Sequence, residues 1–158
     1  MKIHGFLCGL VTAVVLAACA SPGAQVGVSK TCPGNSCDVA VKVVMVGGSP
    51  QVQVDFDDIH FPRGNQNATI TWMLKDSPHW KFKDTSIAPH TSAPVPGKET
   101  TSANEWRSQI SFRNSSEVTY VVQNANNKAT KLFYNVTVFR KSDEMPLTLD
   151  PTVTNDGL

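Results

Sequence analysis

Apolar and polar residues alternate at a period of two through much of this chain, and no window places apolar residues at helical spacing. Alternate residues of a strand face opposite sides of a sheet, so the pattern calls for strands with one face buried. From Thr69 to Leu74, Ile70, Trp72 and Leu74 fall on one face and Thr69, Thr71 and Met73 on the other. Val52, Val54 and Phe56 alternate with Gln53 and Asp55, and Val118, Tyr120 and Val122 repeat the arrangement. Val39 to Val46 and Leu132 to Phe139 are apolar on both faces, as expected of strands inside a sheet. Trp80 with Phe82, and Trp106 with Ile110 and Phe112, mark shorter strands. Turn residues separate these runs at Gly47–Pro50, Pro62–Asn65, Arg113–Ser116 and Asn124–Lys128. The expectation is an all-β fold, an antiparallel β-sandwich of about seven to eight short strands.

The first residues follow a different logic. Lys2 precedes an apolar run from Phe6 to Ala18 that ends at small residues and then Ser21-Pro22-Gly23, the layout of a removable export signal. A membrane-spanning helix needs about 20 apolar residues, more than this run holds. Leu16-Ala17-Ala18-Cys19 resembles the lipobox of bacterial lipoproteins, in which an aliphatic and two small residues precede a cysteine. The resemblance implies cleavage before Cys19 and a covalent lipid on that cysteine, and Ala20 in place of aspartate implies the outer membrane. Ala18-Cys19-Ala20 also reads as a small-x-small site, and a cut after Ala20 would release a soluble secreted protein. The expected organisation is a signal over residues 1–18, a Ser/Pro/Gly-rich tether over 19–30 and a β-sandwich domain over 31–158.

Removing residues 1–18 takes one of the 14 Lys and Arg residues and leaves 13 against 13 Asp and Glu. Neither a basic excess nor a basic cluster is present, which argues against a nucleic-acid partner. Of the four cysteines, Cys8 lies in the signal and Cys19 would carry lipid, so Cys32 and Cys37 are expected to pair in an oxidising compartment. Pro33-Gly34 suits a type II turn between them, and closing so short a loop is worth about 2 kcal/mol on the chain-entropy account. A redox pair or half a metal site is the competing reading, but the spacing is not Cys-x-x-Cys.

Thr69-Ile70-Thr71-Trp72-Met73-Leu74-Lys75-Asp76-Ser77-Pro78-His79 resembles the cupredoxin segment in which a Thr-x-Trp strand runs into a copper-binding Pro-His. The resemblance implies a cupredoxin-like sandwich, with an immunoglobulin-like one equally compatible with the strand pattern. It carries no electron-transfer function, because a blue-copper site needs a thiolate and no cysteine follows Cys37. His60, His79 and His90 with Met73 or Met145 are ligand types copper accepts, and His79 and His90 are the candidates for a thiolate-free site. Asp55, Asp57 and Asp58 form the densest acidic cluster but lack the spacing of a calcium loop, so a solvated strand end is expected there.

The mature chain holds no Gly-x-Ser-x-Gly, His-Glu-x-x-His, phosphate loop or Ser-x-x-Lys, so no catalytic residues are assigned and a non-enzyme is expected. Trp72, Trp80 and Trp106 are assigned to the core, and the C-terminal residues after Asp150-Pro151 are expected to be exposed. Asn67, Asn114 and Asn135 open Asn-x-Ser/Thr matches that are coincidences in an Asn- and Thr-rich chain. The expected function is a lipid-anchored cell-envelope lipoprotein serving as a non-catalytic binding or structural module. Its partners would be the membrane and an envelope protein engaged through sheet edges or the long connection from Pro89 to Asn104. A periplasmic copper-binding protein using His79 and His90 is the alternative, and the covalent lipid at Cys19 is the one expected attached group.

Mass spectrometry of membrane-extracted protein checks the anchor. The expected mature N-terminus is an acylated Cys19, whereas an unmodified N-terminus at Ser21 would mean a secreted protein.

Overall fold

The computed structural model describes residues 28–91 and 99–158. The expected signal, Cys19 and most of the tether therefore lie outside the described residues, as do residues 92–98 of the long connection. Two sheets pack face to face around a shared apolar core, which makes the fold an all-β sandwich. One sheet contains β2 (Ser36–Val46), β3 (Ser49–Val54), β5 (Ala68–Leu74), β8 (Ile110–Ser115) and β9 (Thr119–Asn124), in the order β3-β2-β5-β9-β8. The other contains β1 (Ser29–Thr31), β4 (Asp58–Phe61), β10 (Thr130–Arg140), β11 (Pro146–Leu149) and β12 (Thr152–Asn155), in the order β1-β4-β12-β10-β11. Two short strands, β6 (Trp80–Lys81) and β7 (Ile87–Pro89), also pair with β10.

The 11-residue β10 is the spine of its sheet. β11 and β12 lie end to end along it in one register, with Val136 opposite Leu149 and Phe133 opposite Thr152. The break between them falls at Asp150-Pro151, where proline has no N–H to give the ladder. β7 also pairs at Val136 and so occupies the opposite edge of β10. β3 and β4 form a second interrupted path, crossing from one sheet to the other at residues 55–57.

That crossing accounts for the acidic cluster. Asp55 exchanges bonds with Ala40, its carboxylate accepting the Ala40 N–H at 2.9 Å and its own N–H donating to the Ala40 carbonyl at 3.1 Å. Asp58 accepts hydroxyl bonds from Ser29, Thr152 and Thr154 at 3.1, 2.7 and 2.9 Å. These carboxylates hold a corner, and only part of the cluster is the solvated strand end expected from sequence.

Several expectations need correction. Twelve strands stand among the described residues, and β1 with β4, β4 with β12 and β2 with β5 pair in parallel, so the sandwich is mixed rather than antiparallel. Parallel pairs arise because β3 and β4 carry the chain through both sheets before β5 returns beside β2. A helix, α1 (Ala103–Gln109), replaces the strand expected at Trp106. Ser102 caps it by accepting the Glu105 N–H at 3.1 Å, and Trp106 and Gln109, three residues apart, share its buried side. Two turns are too short to show a periodic stripe.

The C-terminal residues are not all exposed, because β12 lies between β4 and β10, with Pro151, Val153, Asn155 and Gly157 buried. Gly157 has φ +77°, and a Cβ there would come 2.5 Å from the Ala129 nitrogen. Cys32 and Cys37 are disulfide-bonded with Cα atoms 5.7 Å apart. Gly34 is not at positive φ, so the loop is no type II turn. It is tied instead by the Asn65 side chain, whose Nδ2 donates to the Cys32 and Gly34 carbonyls at 2.7 Å each.

Trp72 is fully buried and meets Tyr120 and Tyr134 edge-on at 6.3 and 5.6 Å, while Trp106 lies 5.8 Å from Tyr134. The Tyr120 hydroxyl donates to the Asp84 carbonyl at 2.8 Å, and burial pushes its phenol up to about 12.

At the disulfide end the core is polar. Asn124 of β9 and Asn155 of β12 donate to each other's side-chain oxygens at 2.7 and 3.1 Å across the two sheets. Gln109 accepts the Asn127 N–H at 3.3 Å, and Asn126 donates to the Pro62 and Asn65 carbonyls and accepts the Gly157 N–H. Asn124→Ala leaves the buried Asn155 Oδ1 without its donor and the Asn126 N–H without its acceptor, and is expected to cost about 2–3 kcal/mol in urea unfolding. Leu at both positions also removes the stranded Asn155 oxygen, so it should recover part of that loss while the Asn126 N–H stays unpaired.

Candidate functional site

The opposite end of the sandwich is open. β2 ends in a hairpin turn whose Gly47 and Gly48 sit at φ +57° and +83°, conformations that favour glycine. This tip faces β6 and the C-terminal end of β10 across a cleft of about 700 Å³. Met45, Gly48 and Pro50 line it from the hairpin side, and His79, Trp80, Arg140, Lys141 and Ser142 from the other. A smaller recess of about 240 Å³ continues past Trp80 and Lys141 to Leu74, Ser77 and Val118.

Ion pairs hold the cationic wall in place. The Arg140 guanidinium sits over the Trp80 ring, 6.0 Å from its centroid. Its Nε and Nη2 donate to the Asp143 carboxylate at 2.8 and 2.7 Å, and Nη2 also lies 3.3 Å from the Met145 sulfur, which leaves Nη1 outside these bonds. Lys141 pairs with Glu117 at 2.9 Å. Glu144 takes both Lys81 and Lys83, at 2.7 and 2.5 Å. Hydrogen bonds from Lys81 and Lys83 hold the Glu144 carboxyl below its ordinary range, as Arg140 does for Asp143 and Lys141 for Glu117. The cleft therefore offers an apolar floor of Met45, Pro50 and Trp80 beside hydrogen-bond donors, an arrangement suited to binding.

The residues singled out from sequence are dispersed. His79 is exposed beside the cleft, and its carbonyl accepts the Lys141 N–H at 2.8 Å. His90 follows β7, and its N–H donates to the Phe133 carbonyl at 2.9 Å. Phe133 and Lys141 are eight positions apart along the β10 path, or about 26 Å at the rise of a strand, so the structure does not bring His79 and His90 together.

His90 is buried with Nδ1 3.0 Å from the Asn135 side-chain oxygen and 3.4 Å from Asp150, while Nε2 has no hydrogen-bond partner. His60 instead pairs with Asp156 at 3.0 Å. Met73 lies on β5, and Met145 packs beside Arg140. Among the described residues no group of three or more His, Cys, Asp or Glu stands close enough to hold a metal ion.

Of the three tryptophans, Trp72 and Trp106 serve the core alone, while Trp80 is both core and cleft wall. Sequence reasoning missed Met45 and Arg140 as site residues. Met45 lies in an apolar run that read as interior, yet β2 extends past the sheet that would cover it. Gly47-Gly48 was the available signal for an exposed tip.

No protein-family model matches the chain, and no curated protein matches it.

Replacing Lys81 and Lys83 together by Met should return the Glu144 carboxyl toward its ordinary range in an NMR titration. A depressed carboxyl contributes stability above its unfolded pKa and loses it as pH falls through its folded value. The double variant should therefore be less stable than the parent at neutral pH and equal to it in acid.

Proposed function

We propose that this chain is an exported lipoprotein acylated at Cys19, whose β-sandwich is a non-catalytic binding module of the cell envelope. The observation that carries the reading is the cleft at the end opposite the disulfide, where a filled sandwich leaves apolar surface and convergent donors uncovered. The Cys32–Cys37 disulfide supports export, since such bonds persist in oxidising compartments. The signal-like residues 1–18 and the lipobox resemblance supply the address, and Ala20 favours the outer membrane. Cleavage after Ala20 would keep the same module in soluble form. The copper reading draws no support from the placement of His79 and His90 at opposite ends of β10.

A photoreactive residue placed at Met45 in envelope membranes tests the module. It is expected to give discrete adducts, while the same probe at Leu158, exposed at the other end, gives few. Equal labelling from both positions would overturn the assignment of binding to the cleft end.

A further inference from the structure

We propose that the cleft end is a second membrane contact, with the Met45–Val46 tip entering the bilayer interface and the cleft receiving the phosphate of an anionic phospholipid. Three of the exposed large apolar side chains gather at this end, Met45 at 68%, Val46 at 39% and Val118 at 53% exposure. Around them stand Trp80 and basic side chains whose aliphatic stems tolerate the interface while their charged heads stay in water.

The cleft itself favours an anion. His79, Arg140 and Lys141 line it together with the Ser142 hydroxyl and no Asp or Glu does, while Asp76, which lines the adjoining recess, is paired with Lys42. The acids that pair with Arg140 and Lys141, Asp143 and Glu117, are not among its lining residues. Arg140 is held by Asp143 through Nε and Nη2, so Nη1 remains to meet a phosphate oxygen without reorganising the side chain.

The length of chain ahead of the domain fits this occupant. The Val28 carbonyl accepts the Asp57 N–H at 3.0 Å, and through β4 and β12 that level of the sandwich is level with Phe133. Arg140 lies seven positions farther along β10, or about 23 Å. Residues 19–27 span at most about 30 Å when extended, so a Cys19 held at a bilayer keeps the cleft end within reach of it.

The disulfide end is also within reach, but its exposed surface is mostly polar and includes Asn35, Ser36, Arg63, Gln66, Asn67 and Lys128, with Val28 and Leu158 as the exposed large apolar side chains nearest it. Surface chemistry therefore selects the cleft end. The inference rests on the proposed acylation for proximity alone.

The test uses the mature chain from Cys19 to Leu158, prepared unacylated with the Cys19 thiol alkylated and sedimented with vesicles. Binding to phosphatidylcholine vesicles containing phosphatidylglycerol is expected to exceed binding to phosphatidylcholine alone and to weaken with salt. Met45→Asp should lower it about tenfold, and Leu158→Asp should leave it unchanged. No preference for anionic vesicles, or unchanged binding by Met45→Asp, would overturn the proposal. So would glycerol phosphate binding in the cleft with no vesicle association, since the ligand would then be a free phosphate ester. Because the protein is unacylated, failure here leaves the Cys19 anchor standing, and an unacylated native N-terminus leaves the vesicle result standing.

Discussion

The reciprocal amide pair of Asn124 and Asn155 joins the two sheets through buried side chains, with the Tyr120 hydroxyl on the Ile87 carbonyl and the Lys30 amine on the Asp38 carbonyl as further links between them. Both amide side chains are essentially without solvent exposure. A buried amide without a partner costs several times what a satisfied one contributes, so the pair tolerates little sliding of one sheet over the other. Each neighbour then inherits a fixed position. Asn126 draws in the Pro62–Asn65 turn and the Gly157 N–H, and Asn65 in turn ties the disulfide loop. Disulfide, C-terminus and sheet-crossing turn are thus held by one connected set of polar bonds.

The same geometry explains why the chain needs few long strands. β10 alone pairs with β12 and β11 along one edge and with β7 and β6 along the other, so short strands satisfy most of both its edges. The interrupted paths keep pairing despite Asp150-Pro151 and the corner at residues 55–57, because carboxylates and hydroxyls supply bonds that the ladder lacks there. On the other flank the Glu117 and Val118 carbonyls accept the Phe82 and Leu74 N–H groups, both at 2.9 Å, which ties the β8–β9 turn to the neighbouring segments.

The sandwich was legible wherever burial of one face dictated the residues. Ile70, Trp72, Val52, Val54, Tyr120 and Val122 are inside as alternation required. Alternation is silent on direction, so the parallel pairing of β2 with β5 left no trace in it. It is equally silent on a helix of two turns, and Trp106 read as strand. The Asn-rich segment after Val122 looked like a surface turn because asparagine is common in turns. Its burial depends on partners more than 30 positions away in sequence, Asn155 and Gly157. The cleft was least legible, since Met45, Trp80 and Arg140 come from three separate strands and none carries a local motif.

The two ends of the domain consequently differ in kind. At the disulfide end nearly every buried polar group is bonded to another, and a ligand there would have to break a satisfied network. At the cleft end the side chains are fixed from outside, Arg140 by Asp143 and Lys141 by Glu117, while both still line the open cleft. A site whose donors are already oriented loses little entropy on binding. The rigidity of the closed end is what allows this. With the sheets locked in register at Asn124 and Asn155, the separation of Met45 from Trp80 across the cleft is set by the fold rather than by whatever occupies it.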